Sequence, residues 1–562
     1  MNLETKELEE RSDYLEYTQV QDWYVDSAYF QTIQKKLKGT GAKLLVGPRG
    51  TGKTHQMLLA HMECIRDKTK PVSLYVSFNR YYHLEPLMSS APNAKKIFHT
   101  WVLAKIVLAI HEFLEKAGIV LNDFLIEDFL GKIYLENFIG QAEKGLFRFD
   151  DEEVLYKLSV SSLKNIIESC VMNCKRKRAI LLLDDAALTL TPEYLVEFFE
   201  IFVSLKSMII APKASVYPGT TEYGMKFHLG QDAEKVECWM NVSEDMNAYS
   251  SFMDTLIEKR FSSITQSIDK EIVEILKYAS FGIPRAFIFL IRSYIQSNKS
   301  TKQAKFNEVI DQHSTLIKAE YLSLKRKVPQ FSNIIEVGSV FFENIINAIT
   351  ESNKSISNQK NLVLGIEVYD NKMVDRMIQF LNEAGLLYRH SSNVSHGQDR
   401  EYIRFNPHII FLIKANAFSY GKGFDSTKIL EKLLAPEKKH PLRRKYQTLL
   451  MAEEIEKLKL NLPPCPKCQT IRFEDNQRFC HNCGAELIMP SSFESCMNLD
   501  INTIPLTPLQ KTAVEQAKFK KIRDFYSIQN PRSELTKVNK IGGKRSQSII
   551  DKVISIVDEF LT

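Results

Sequence analysis

The sequence has no uninterrupted run of about 18 apolar residues, the length a membrane-crossing helix needs. Its charged start, Met1-Asn2-Leu3-Glu4-Thr5-Lys6, lacks the apolar stretch of a secretory signal. The two absences give the expectation of a cytoplasmic chain with no membrane partner. Cysteine is scarce: nine residues in 562, unevenly placed, exclude a disulfide scaffold. Net charge is slight at +6, so charge alone names no partner. No internal repeat is found.

What is present is the composition of an ordinary globular protein, 44% hydrophobic and 25% charged, which excludes wholesale disorder and a fibrous class. At about 150 residues per domain, the length corresponds to roughly four units. Lys43-Leu44-Leu45-Val46 is a short apolar run that ends in a glycine-rich loop, and the pattern from Gln56 to Ile65 reads as a helix. Further strands are expected at Val72 to Ser77, at Ala179 to Leu183 and at Met208 to Ile210, with helical patterns between them. Strands alternating with helices imply an α/β fold built on a mostly parallel, three-layer sheet. A helical lid fits Ser243 to Ser297.

The loop Gly47-Pro48-Arg49-Gly50-Thr51-Gly52-Lys53-Thr54 has the spacing GxxxxGK[ST] between a strand and a helix. Glycines let backbone N–H groups curl around phosphate oxygens, and the helix N-terminus adds a favourable dipole. Lys53 is expected to reach the β- and γ-phosphates of ATP, and Thr54 to bind Mg²⁺ through its hydroxyl. Asp184 follows the apolar strand, which places its carboxylate at the strand's C-terminal edge, where it can hold the Mg²⁺ through water. Asp185 is the candidate for polarising an attacking water.

Together with Leu181-Leu182-Leu183-Asp184-Asp185 and Phe281-Gly282-Ile283-Pro284-Arg285-Ala286, the loop resembles the origin-recognition branch of the AAA+ ATPases over residues 20–300. The resemblance implies a P-loop NTPase core and a lid-helix arginine, matched here by Arg285, that contacts the γ-phosphate. Many AAA+ enzymes carry Glu at the Asp185 position, so the shorter acid bears on the hydrolysis rate. The resemblance also implies a polar sensor after the Met208 strand, for which Lys213 and Ser215 both qualify. It further implies assembly into a homo-oligomer, with a trans-acting arginine for which Arg260 is the choice.

Four of the nine cysteines, Cys465, Cys468, Cys480 and Cys483, form two CxxC knuckles eleven residues apart. The spacing resembles a zinc ribbon, a tetrahedral and structural Zn²⁺ site. An Fe–S cluster and a redox pair are the alternatives. Such a small module gains its fold from the metal, worth on the order of 10–16 kcal/mol in comparable peptides. Helix followed by hairpin at Val374 to Leu387 and Leu386 to Phe405 outlines a winged helix, which contacts DNA or a protein partner. At the C-terminus, Leu535 to Ile549 looks like a helix-hairpin-helix element. There the N–H groups near Gly542 and Gly543 meet a phosphate and Lys540, Lys544 and Arg545 add salt-sensitive attraction; a plain packing hairpin is the alternative. The run Lys175-Arg176-Lys177-Arg178 reads as a solvated helix end.

The expected organisation is an ATPase core over 1–240, a lid over 241–325, a winged helix over 326–418, a basic helical connector over 419–460, a zinc ribbon over 461–490 and a small α-helical domain over 505–562. Its expected activity is that of an ATPase that binds DNA and couples ATP state to assembly on it. The alternatives are a STAND-like signalling or defence switch acting through protein partners, and a non-enzymatic adaptor that uses nucleotide as a structural ligand.

Overall fold

A computed structural model describes residues 17–561 apart from 79–83, 85–92, 120–129, 144–156, 186–191, 222, 225, 262–264, 266, 357, 397–399, 419–424, 473–476, 478, 488–495, 527, 529 and 540. Helices α1 (Tyr17–Asp22) and α2 (Ala28–Leu37) precede strand β1 (Lys43–Val46) and helix α3 (Lys53–Arg66). Strand β2 (Val72–Ser77), helices α4 (Ala94–Lys116), α5 (Lys132–Ala142) and α6 (Val160–Asn173), strand β3 (Ala179–Asp184), helix α7 (Pro192–Leu205), strand β4 (Ile210–Val216) and strand β5 (Glu234–Glu237) complete the core.

The five strands are all parallel, in the order β2-β3-β4-β1-β5. Alternation along each strand fills two separate cores: Leu45, Ile180 and Leu182 face one, Leu44, Leu181 and Leu183 the other. This is the expected three-layer α/β arrangement. All strand C-termini lie at one edge, and β4 intervenes between β1 and β3, so Asp184 is two strand positions from the glycine loop. Helix α4 has the length and composition of a membrane span, with a mean hydropathy of 1.5 over its most apolar window, but 78% of that window is buried against protein. It is the central helix of the second core, packing Trp101, Phe98 and Phe113. The basic run at Lys175 is not simply a solvated end: Arg176 is buried, and its Nη1 donates to the carbonyls of Cys64 (2.6 Å), Asp67 (3.0 Å), Lys70 (2.9 Å) and Pro71 (3.1 Å).

The lid comprises α8 (Met246–Arg260), α9 (Lys270–Ala279), α10 (Pro284–Gln296) and the long α11 (Lys302–Lys327). Pro284 at the first position of α10 supplies the φ a helix start needs. The next unit has α12 (Ser332–Lys354), β6 (Leu364–Glu367), α13 (Lys372–Glu383), β7 (Leu387–Arg389), β8 (Val394–His396), β9 (Arg400–Pro407) and α14 (Ile409–Lys414). Asn371 caps α13 by accepting the N–H of Met373 and Val374, and Gly385 at φ +71° follows the helix end. Strands β7 and β8 both pair antiparallel with β9, giving the expected helix and hairpin.

The connector differs from expectation. It contains α15 (Ser426–Leu434) and the short α16 (Ala452–Glu456), but between them β10 (Leu442–Arg444) pairs parallel with β6 and extends the hairpin sheet. The basic residues around Arg443 therefore belong to a sheet edge. The four-cysteine module and the C-terminal unit, α17 (Pro508–Gln516), α18 (Ile522–Tyr526), α19 (Pro531–Thr536) and α20 (Gly543–Leu561), each have a core of their own. The latter begins earlier than expected, at buried Cys496 and Met497.

Candidate nucleotide and metal sites

Gly50 shows why the loop after β1 must be rich in glycine. Its φ is +83°, and a Cβ there would lie 2.7 Å from Arg285 Cβ and 3.1 Å from Ile283 Cγ2. The loop thus touches the lid directly, and the Arg285 N–H points at Gly50 O (3.4 Å). Gly52 at φ +95° leads into α3, whose N-terminus turns its open N–H groups toward the same space.

One cavity brings the sequence-predicted residues together. Arg49, Gly50, Thr51, Gly52, Lys53 and Thr54 line it from below, Asp184 and Asp185 from the sheet edge, and Pro284 and Arg285 from the lid. Lys53 is buried, and its Nζ donates to Gly47 O (2.6 Å) and Pro48 O (3.0 Å). Burial pulls its pKa down to about 8, against the nearby thiol and the carboxylates of Asp185 and Asp184, which favour the charged form.

Asp184 is held on both oxygens: Ser215 Oγ donates to Oδ1 (2.7 Å) and Tyr75 O–H to Oδ2 (3.0 Å). The Asp185 N–H donates to Ser215 Oγ (2.8 Å) and to Asp184 Oδ1 (3.1 Å), fixing Asp185 in the left-handed region at φ +53°. The two candidates on β4 differ in position. Ser215 sits at the strand's C-terminal end beside the acids. Lys213, one pleat earlier, is buried and donates to the carbonyls of Gly39, Thr40 and Gly41 before β1.

Arg260, the choice for a trans-acting arginine, lines this chain's own cavity, with its Cζ 4.1 Å from the centre of the Trp23 ring. Trp23, Tyr24, Val25, Phe252, Leu256 and Ile288 form the largely apolar end of the cavity around it, and sequence reasoning missed all of them. His55, beside Arg260, has its pKa lowered to about 4 by burial and then by that positive charge.

The geometry fits a nucleoside triphosphate with a divalent cation. The glycine cradle excludes a Cβ, a buried ammonium stands at its mouth, and Thr54, Asp184 and Asp185 offer oxygen donors of the kind Mg²⁺ takes.

The four cysteines also converge. All four Sγ atoms lie within 4.8 Å of one another, with Cys465–Cys483 and Cys468–Cys480 each at 3.5 Å. A tetrahedral tetrathiolate with metal–sulfur bonds of about 2.3 Å needs S···S separations of about 3.8 Å. Each knuckle closes alike: the Cys465 N–H donates to Thr470 O and the Cys480 N–H to Ala485 O, with Gln469 (φ +59°) and Gly484 (φ +67°) in the left-handed region. The donor set fits a structural metal of the zinc type.

In the C-terminal unit, Gly542, Lys544 and Arg545 are exposed at the start of α20, and a Cβ on Gly542 would meet nothing within 4 Å. Lys540 lies outside the described residues.

The parallel sheet, the glycine loop and the acids at its edge define a P-loop nucleotide-binding core with a lid. Residues 9–212 match the family model described as ORC-CDC6-like, the branch that the sequence resembles. No curated protein sequence matches the chain. Among solved structures, a Walker-type ATPase of Pyrococcus abyssi is similar at 11% identity and a TM-score of 0.39, over 68% of this chain and 94% of that one. The Orc1 protein of Aeropyrum pernix in complex with DNA is similar at 12% identity and a TM-score of 0.28, over 70% and 92%. Likenesses at that level do not bear on function.

Proposed function

We propose that the chain is an ATP-dependent switch of the AAA+ type that hydrolyses ATP slowly and acts on DNA as a homo-oligomer. The observation that carries this reading is the convergence of Lys53, Thr54, Asp184, Asp185 and Arg285 on one cavity between sheet edge and lid. Positioning and electrostatics dominate phosphoryl transfer, so these residues have roles without covalent chemistry of their own. Lys53 and Arg285 offset phosphate charge. Thr54 and Asp184 would hold a Mg²⁺, which would supply further charge neutralisation. Asp185 orients the attacking water, and its side chain, one methylene shorter than Glu, favours slow turnover. Arg260 and Trp23 hold the base end of the nucleotide.

DNA contact is assigned to the exposed Gly542, Lys544 and Arg545, where a helix N-terminus and two cations suit a phosphate without base readout. Zn²⁺ on Cys465, Cys468, Cys480 and Cys483 is assigned a structural role. The helix-and-hairpin unit is read as a winged helix, and it or the zinc ribbon offers a surface for a protein partner.

A second reading, the signalling switch acting through protein partners, is favoured by one observation. Of α13, the helix a winged helix would offer to DNA, only Lys372 is exposed. The test is ATP turnover with and without single- and double-stranded DNA at two salt concentrations, for the intact chain and for one ending near Leu460. Turnover raised by DNA at low salt, and not in the shortened chain, supports the DNA reading. Absence of DNA binding at low salt removes it and leaves the signalling switch.

A further inference from the structure

Helix α13 ends on the nucleotide site. Glu383, in its last turn, accepts the backbone N–H groups of Gly219 (2.8 Å) and Thr220 (2.7 Å), and Thr220 Oγ1 donates to the same carboxylate at 3.0 and 3.1 Å. Gly219 allows this approach, since a Cβ there would lie 2.7 Å from Phe380 Cδ1 and 2.9 Å from its Cα. Just past the helix, a Cβ on Gly385 would lie 3.1 Å from Ile283 Cδ1 and 3.7 Å from Pro48 Cβ. The end of α13 therefore meets three parts of the site at once: the phosphate loop, the residue that opens the lid helix, and the turn after β4.

That turn begins at Tyr217, whose N–H donates to Thr221 Oγ1 (3.1 Å). The Tyr217 ring is buried, and its centre is 4.3 Å from Lys53 Nζ. A lysine ammonium has three donors. Two of those on Lys53 go to Gly47 O and Pro48 O, and the aromatic face meets the third side. Lys53 is satisfied inside the chain, so a phosphate gains it only by displacing one of these partners.

We propose that Glu383 is an autoinhibitory latch: by holding the Gly219–Thr220 turn it keeps Tyr217 over Lys53, and its release both frees Lys53 for phosphate and uncovers α13. The proposal rests on the cavity being an ATP site and adds its regulation. A carboxylate with three donors is well able to hold such a state, since hydrogen bonds to charged groups are individually strong. The competent state is then a minor population of the nucleotide-free chain, and apparent affinity falls by that fraction.

The experiment compares the full chain with Glu383→Ala, Glu383→Gln and Gly219→Ala. It measures Mg-ATP affinity with a fluorescent ATP analogue, and hydrogen exchange of residues 372–389 with and without ATP. The latch predicts that Glu383→Ala raises affinity at least about tenfold. It also predicts intermediate behaviour for Glu383→Gln and fast α13 exchange in the variant even without nucleotide. In the parent chain ATP itself speeds that exchange. Gly219→Ala breaks the contact from the other domain and gives the same shift, which separates the latch from any local damage at Glu383. Affinity in Glu383→Ala within twofold of the parent, or lower, with α13 still protected, overturns the latch. A parent chain that binds no ATP removes the nucleotide reading itself, and the latch falls with it.

Discussion

Lys53 gives the most specific expectation for nucleotide binding. Burial holds its pKa near 8 in the nucleotide-free chain, against an ordinary value of 10.5. A bound triphosphate stabilises the ammonium form, so binding takes up a proton wherever Lys53 is neutral beforehand. With a free pKa of about 8, roughly nine-tenths of Lys53 is charged at pH 7 and one-tenth at pH 9. ATP affinity should therefore fall about tenfold between those two values. The folded chain binds fewer protons here than the unfolded one, so this group's contribution to stability is fully present above about pH 10.5 and is lost as pH falls through about 8. Raising the pH from 7 to 9 thus weakens binding without unfolding the site through this residue. The assay is calorimetric titration of Mg-ATP at pH 7, 8 and 9 in two buffers of different ionisation enthalpy, which counts protons directly. An affinity flat across this range, with no proton uptake at pH 9, would refute the burial argument.

Further outcomes follow from single contacts. Ser215→Ala removes a donor from Asp184 and an acceptor from the Asp185 N–H; it should cost about 1–3 kcal/mol in core stability and weaken Mg²⁺-dependent binding, read by thermal unfolding with and without Mg-ATP. Arg260→Ala should lower ATP affinity roughly three- to tenfold even in monomeric chain, on the scale of one cation–π contact, whereas a trans-acting residue would affect hydrolysis only after assembly. Cys480→Ser or chelation should release about one zinc equivalent, measured by atomic absorption, and unfold residues 461–490 while the ATPase core keeps its melting profile. Lys544→Ala and Arg545→Ala should each reduce the salt slope of duplex binding by about 0.9, read from filter binding across salt.

How much of this was legible in the sequence depended on whether the signal was local. The glycine loop, Asp184 at the end of an apolar strand and the two cysteine knuckles are each set by a few neighbouring residues. All of them lie where the pattern placed them. Lys213 and Ser215 share one face of β4, so periodicity could not separate them. Their distance along the strand does, since only the residue at its C-terminal end reaches Asp184. Trp23 and Arg260 are more than two hundred residues apart and meet only once the N-terminal segment and α8 pack together, so no local pattern pairs them. The basic stretch around Arg443 carried no strand signal strong enough to reveal β10, which exists because β6 offers it an edge. The docking of α13 on the turn after β4 is longer-range still, and only Gly219 and Glu383 hint at it.

The central claim is that Gly47 to Thr54 and Asp184 form a Mg-ATP site. Equilibrium titration of Mg-ATP onto the intact chain, beside Lys53→Ala and Asp184→Asn, tests it most directly. The account predicts one site per chain, lost in Lys53→Ala and weakened toward the magnesium-free value in Asp184→Asn. Binding that is absent from the intact chain, or equal in all three proteins, would contradict it.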